Sequence, residues 1–177
     1  MGSEATRKGV EEVLTAAKTL SDTRDGAQFH FLAVPTVLEQ RIADLNLGNV
    51  AHMEGFVAHA RVLEAMRASD VFLLPSHGEG FPNSLMEAMA CSLPSIVTPV
   101  GAVPEIARGG GMRVVPVGDA AALAREISAL AADPSLRLRL GEEARANLLA
   151  HYTAERVLPG LASLYTTLIG NTHREAV

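Results

Sequence analysis

Apolar residues recur along the chain in two alternating rhythms, and the alternation sets the expected order of elements. Val10, Val13, Leu14, Ala17 and Leu20 fall at helical spacing. Residues 28–34 read as a buried strand, and Val37, Ile42, Leu45 and Leu47 as a second helix closed by Gly48. Residues 50–53 form a short strand ended by Gly55, and Val62, Ala65 and Met66 mark a helix that stops before Ser69-Asp70. The run 71–75 is again a strand, followed by a Gly/Pro loop and a helix from about Ser84 to Ala90. A further strand covers 95–98, with a turn at Pro99 and Gly101, and 112–115 is the last. Beyond Gly118 the rhythm is purely helical. Leu123, Ile127 and Leu130 share one face, a second helix near 135–150 follows Pro134, and a third runs from about Thr153 to Ile169. Along that third helix Val157, Leu161, Leu164 and Leu168 line one side; Leu161, Leu164 and Leu168 read more simply as core than as partner surface, with part of the helix exposed if a companion domain is missing.

This alternation predicts an α/β fold: a three-layer α/β/α, Rossmann-like domain with a mostly parallel sheet of about five or six strands. The chain of 177 residues is expected to be one unit, 1–177, with C-terminal helices over about 119–169. No repeat, low-complexity tract or linker divides it. A doubly wound sheet normally opens with a strand, yet helical rhythm begins just after Lys8. The first strand is therefore either missing or reduced to residues 1–6, as in a fragment of a longer fold.

Composition removes several function classes. No apolar run approaches the roughly 18 residues of a membrane span, so no transmembrane segment is expected, and the N-terminus lacks a signal-peptide core. Lys8 and Lys18 are the only lysines, and the net charge is -5. No basic stripe exists for nucleic acid. The single Cys91 excludes an intrachain disulfide and a multi-cysteine metal site. The expected location is cytoplasmic.

The chemistry concentrates in Glu79-Gly80-Phe81-Pro82-Asn83-Ser84-Leu85-Met86-Glu87. Two carboxylates stand eight positions apart, one in a Gly/Pro turn after an apolar strand and one in the first turn of a helix. A helix N-terminus after a glycine-bearing loop points N–H groups at an anion. A carboxylate in such a place would repel phosphate, so its natural partner is a hydroxyl. Phosphate at the helix end with carboxylates on hydroxyls describes a nucleotide-sugar. Plainer readings stand beside this one. Ser84 to Glu87 is also a capping box, with Ser84 as cap and Glu87 reaching back. Glu79 alone could be a solvated loop acid, and Lys8 a surface lysine, although a cation at a helix start opposes the helix dipole. His77 reads as a solvated loop residue, Glu105 as support for a second loop, and Gly109-Gly110-Gly111 as a flexible turn.

Taken together, Ser69-Asp70-Val71-Phe72-Leu73-Leu74-Pro75-Ser76 through Glu79, then Glu87-Ala88-Met89-Ala90-Cys91 and Gly101-Ala102-Val103-Pro104-Glu105, resemble the donor-binding domain of a retaining glycosyltransferase. The resemblance is to glycosyltransferase family 4, the group 1 glycosyltransferases with the GT-B fold, and it covers nearly the whole chain. Arg7-Lys8-Gly9 resembles that family's phosphate-binding lysine motif, and Gly55-Phe56-Val57 its glycine-aromatic turn. The resemblance implies catalytic roles for Glu79, facing hydroxyls of the donor sugar, and for Lys8, neutralising the diphosphate as it departs. It implies donor binding by Gly80, Phe81 and Asn83 through backbone N–H groups, by Ser84 and Leu85 at the helix start, and by Glu87 on the ribose. No metal and no cofactor are expected, since the helix N-terminus and Lys8 serve the diphosphate charge. The expected partners are a nucleotide-sugar donor and an acceptor sugar, lipid or small molecule held by an N-terminal domain that this chain has no room for.

Three features depart from the family pattern. The arginine that usually precedes the lysine would fall at Gly2 or Ser3, and the usual glycine-rich turn after the strand at 28–34 is Val34-Pro35-Thr36. The acceptor domain is the third. A non-catalytic nucleotide-sugar-binding or docking module that works with a separately encoded partner is therefore the alternative reading. The related sugar-nucleotide epimerases are disfavoured by the Glu-Gly-Phe-Pro context.

Overall fold

The computed structural model describes residues 7–23, 26–32 and 37–172. Strands and helices alternate as the rhythm requires: α1 (Val10–Thr23), β1 (Phe29–Leu32), α2 (Val37–Asp44), β2 (Ala51–Glu54), α3 (His59–Ala68), β3 (Phe72–Leu74), α4 (Asn83–Ala90), β4 (Ser95–Val97), α5 (Val103–Ala107), β5 (Met112–Val114), α6 (Ala120–Ala132), α7 (Pro134–His151) and α8 (Ala154–Thr172). Residues 33–36, the predicted end of the first strand and the loop after it, lie outside the described residues, as do residues 1–6.

Every strand pairing is parallel. β1 pairs with β2, Phe29 opposite Ala51, while β3, β4 and β5 form a second set in that order, with Leu73 opposite Ile96 and Ile96 opposite Arg113. One continuous sheet was the expectation; among the described residues the five strands instead form two hydrogen-bonded sets.

The pleat of β4 shows why the layers number three. Ile96 joins the apolar cluster formed with Leu14, Ala17, Leu20, Leu123, Ile127 and Leu130 of α1 and α6. Its neighbour Val97 joins the opposite cluster, with Leu85, Met89, Val103, Ile106 and Ala144 of α4, α5 and α7. Successive side chains of a strand point to opposite faces. Both faces of this set are thus covered, and its strands read as continuous apolar runs rather than alternating ones.

Local chemistry sets the helix boundaries. Asp119 caps α6 by accepting from the Ala122 amide at 2.8 Å, and Asp133 caps α7 from Leu136 at 2.9 Å, with Pro134 in the first turn where a missing N–H costs nothing. α7 approaches α4 closely because small residues face it. A Cβ on Gly141 would lie 2.1 Å from the Ser92 carbonyl oxygen.

Three expectations need correction. The short helix α5 was read as part of a loop; five residues with a proline in the first turn give no helical period to detect. The Gly109–Gly111 stretch is packed rather than loose, since a Cβ on Gly111 would meet Ala144 at 2.3 Å and one on Gly109 would meet the buried Asn147 at 2.2 Å. Finally, Leu161, Leu164 and Leu168 are not core. They are 44%, 55% and 56% exposed, and the side chains of α8 over 154–169 are exposed on every side, so no apolar stripe of this helix is covered. Among the described residues no helix is long and apolar enough to cross a membrane.

Candidate functional site

The site lies beyond the carboxyl ends of β3 and β4, the edge at which open α/β sheets bind ligands. The chain entering α1 runs beside the continuation of β3, and the His77 amide donates to the Arg7 carbonyl at 2.8 Å. Gly9, with φ +72°, touches Pro75 directly; a Cβ there would fall 2.0 Å from the Pro75 carbonyl oxygen. Only glycine combines that dihedral with that approach. The consequence is that Lys8 reaches Glu79. Its ammonium donates to Oε1 of Glu79 at 2.8 Å across 71 residues of sequence.

Glu79 does not stand in solvent. Its side chain is only 7% exposed, it accepts from the Ser76 hydroxyl at 2.7 Å, and the Arg7 guanidinium lies 3.7 Å from Oε2. Burial pushes its carboxyl up, but the hydrogen bonds from Lys8 and Ser76, with the charges of Lys8 and Arg7, outweigh that and hold it below the usual carboxylate range. The group is a carboxylate, not an acid. Arg7 also donates to the Gly78 carbonyl at 2.9 Å, which fixes the turn just before it.

The turn carrying Glu79 is closed from the other side by Gly101. That residue has φ +56°, and a Cβ on it would lie 2.2 Å from the Glu79 carbonyl oxygen. The next amide, Ala102, donates to the Gly80 carbonyl at 2.9 Å. Phe81 is half exposed and its ring lies 6.0 Å from that of Tyr152 at the end of α7. The loop is thus held by backbone contact at one end and an aromatic pair at the other.

α4 begins at Asn83, with Pro82 as the N-cap residue and no side-chain cap. The capping box read from Ser84 and Glu87 is therefore absent. With proline at the cap, the helix starts two residues earlier than Ser84 as a cap would set it. The Leu85 amide closes onto the Pro82 carbonyl at 3.1 Å, so the N–H groups at the mouth of the helix are those of Asn83 and Ser84. Leu85 itself is fully buried and anchors the first turn. Glu87, freed from a capping role, pairs with His59 at 2.9 Å at the start of α3, and its side chain is 30% exposed.

The structure thus places Lys8 against Glu79 and sets Gly80 and Phe81 along the loop that follows and Asn83 and Ser84 in the first turn of α4, while Glu87 lies beyond that turn rather than in it as expected. His77 lies on the margin, bonded to Glu12 at 2.7 Å. Glu105 is exposed on α5 and near Tyr152, whose hydroxyl pKa is raised by burial and by that carboxylate. Asp70 pairs across to Arg137 at 3.5 Å. Among the described residues no set of three His, Cys, Asp or Glu side chains could hold a metal ion. Sequence reasoning passed over Ser76, Thr98 and His59. Ser76 and Thr98 are wholly or almost wholly buried polar residues in otherwise apolar runs, and that polar interruption was the signal available.

The profile of the family described as Glycosyl transferases group 1 matches residues 1–147. A 2-deoxystreptamine N-acetyl-D-glucosaminyltransferase of Niallia circulans is 28% identical over 98% of this chain and 46% of its own length. The solved C-terminal domain of a glycosyl transferase group 1 family protein, LpcC, from Francisella tularensis superposes with a TM-score of 0.74 at 25% identity, covering 84% of this chain and 81% of that one. The Anabaena protein HepE in complex with UDP superposes at 0.81 over 91% of this chain and 46% of its own, with 20% identity, which is a likeness of fold. The chain spans less than half the length of the curated relatives it matches.

Proposed function

The chain belongs to the group 1 glycosyl transferases, and on that footing we propose that it is the C-terminal, donor-binding half of a retaining GT-B enzyme of glycosyltransferase family 4. The reaction is transfer of a hexosyl group from a nucleotide diphosphate sugar to an acceptor hydroxyl. The bond from the anomeric carbon to the diphosphate breaks, a bond to the acceptor oxygen forms, and configuration is retained. The observation that carries this reading is the approach of Lys8 to Glu79 immediately before an uncapped helix N-terminus. A lysine ammonium has three donors, so Lys8 can keep Glu79 and still meet a diphosphate at the mouth of α4. Negative charge there also favours the positive end of the helix.

In this arrangement Asn83 and Ser84 offer amides to the diphosphate, and Glu87 accepts from the ribose hydroxyls. Gly80 and Phe81 carry the backbone that the sugar meets, and Glu79 presents a carboxylate to it. The relatives' length supports an acceptor domain elsewhere in the full enzyme, and the UDP held by the Anabaena protein supports a nucleotide donor. The exposed row on α8 from Val157 to Ile169 also suits the second reading, a donor-binding module that docks on a separately encoded partner.

Calorimetric titration with UDP, GDP and ADP, each alone and as its hexose conjugate, tests the proposal. Saturable binding of one nucleotide is expected. Glu87→Ala should weaken it by about 10- to 100-fold, the loss of hydrogen bonds to a charged group. A folded sample that binds none of them counts against a donor site.

A further inference from the structure

We infer that Ser76 is the positioning residue of Glu79, turning Oε1 inward so that the carboxylate meets the donor sugar through Oε2 alone, and that Thr98 holds Ser76 in place. The consequence for the sugar rests on the donor-site reading above; the positioning itself does not. Ser76 has no exposed surface and lies just past the end of β3, after Pro75. An ionised carboxylate only accepts, so the 2.7 Å contact has Ser76 donating to Oε1. Lys8 donates to that same oxygen at 2.8 Å. Two donors from segments far apart in the sequence converge on Oε1, whereas Oε2 has the Arg7 guanidinium at 3.7 Å. One oxygen is saturated and one is left to accept.

A lysine stem alone would not fix the rotation of the carboxyl plane, because its four carbons turn easily. A serine on rigid backbone would. Ser76 is rigid because Thr98, 1% exposed at the end of β4, ties the two strands together. Its amide donates to the Leu74 carbonyl at 3.3 Å and its hydroxyl donates to the Ser76 carbonyl. A buried hydroxyl without a partner is unfavourable, and alanine would pack here without that demand. Serine at this position is explained by what it does to Glu79. The neighbouring charges are Lys8 and Arg7 from the segment before α1, with the His77–Glu12 pair at the margin.

The test is the titration of the Glu79 side-chain carboxyl, followed by carbon-13 NMR in the whole chain, for the native sequence, Ser76→Ala, Thr98→Val and Thr98→Ser. Loss of a donor to the ionised form is expected to raise the Glu79 midpoint by about one pH unit in Ser76→Ala. Thr98→Val should raise it by less, and Thr98→Ser, which keeps the hydroxyl, should leave it in place. An unmoved midpoint in both Ser76→Ala and Thr98→Val overturns the inference. The readout needs no ligand. A moved midpoint in a protein that binds no nucleotide would therefore keep the positioning role and remove the donor reading.

Discussion

Gly9→Ala is expected to unfold this chain about 10 °C lower than the native sequence, a large response to one methyl group. Two costs combine there. The residue sits at φ +72°, where a side chain is strained, and the added carbon would lie 2.0 Å from the Pro75 carbonyl oxygen and 2.7 Å from its carbon. Those neighbours are backbone and cannot rotate away. Strain of about 1–3 kcal/mol from the dihedral and about 1–3 kcal/mol from overpacking correspond to roughly that shift in a domain of this size. Gly26 supplies the control, because it has the same φ of +72° with nothing within 4 Å. Gly26→Ala should show the dihedral cost alone, so the difference between the two variants isolates the contact with Pro75. The effect extends to the site. Displacing Gly9 moves Lys8 away from Glu79, so nucleotide affinity should fall in Gly9→Ala and stay unchanged in Gly26→Ala. Thermal unfolding of both, with titration of the nucleotide, checks this; equal melting temperatures would show that the chain entering α1 adapts freely.

Gly9 also marks where the sequence stopped being legible. Its place after Lys8 was plain, but its contact with Pro75 joins parts of the chain whose closeness no local rhythm reveals. Elements with several turns or several apolar positions were readable: α1 through Val13, Leu14, Ala17 and Leu20, and β3 through Phe72-Leu73-Leu74. α5 was not, since five residues complete little more than one turn. Periodicity on α8 gave the correct apolar side but could not say whether anything covers it, and Leu161, Leu164 and Leu168 proved exposed. The capping box failed for a local reason: Pro82 ends its own strand-like conformation directly into Asn83, ahead of Ser84. At the site the resemblance singled out Lys8 and Glu79 separately. That each is the other's partner, and that Ser76 completes the arrangement, required the fold.

Lys8→Met should damage two properties at once, and combining it with Glu79→Gln should separate them. Removing the ammonium leaves a carboxylate that is 7% exposed with Ser76 and a guanidinium 3.7 Å away. Stranding a nearly buried charge in that way should cost about 2–3 kcal/mol. Glu79→Gln in the same chain removes the stranded charge while its amide oxygen can still accept from Ser76, so most of the stability should return. Nucleotide diphosphate affinity should not return, because the cation is still missing; about a 100-fold loss is expected in both variants, the value of one or two charge-assisted hydrogen bonds. The pH dependence follows from the direction of the Glu79 shift. Its folded carboxyl is held below the ordinary range, so the unfolded chain takes up that proton first. The contribution is complete above the unfolded midpoint, near pH 4.3 for a glutamate, and is lost as pH falls through the lower folded midpoint. Stability of the native chain should therefore decline on acidification from about pH 5, and Glu79→Gln should show a shallower decline. Glu11 and Glu54, held low by hydrogen bonds from Arg41 and Arg61, shift in the same direction and supply part of the slope that remains. Denaturant unfolding at neutral and acid pH, beside nucleotide titration at neutral pH, reads all three quantities. If the double variant recovers affinity together with stability, Lys8 serves the fold and not the phosphate.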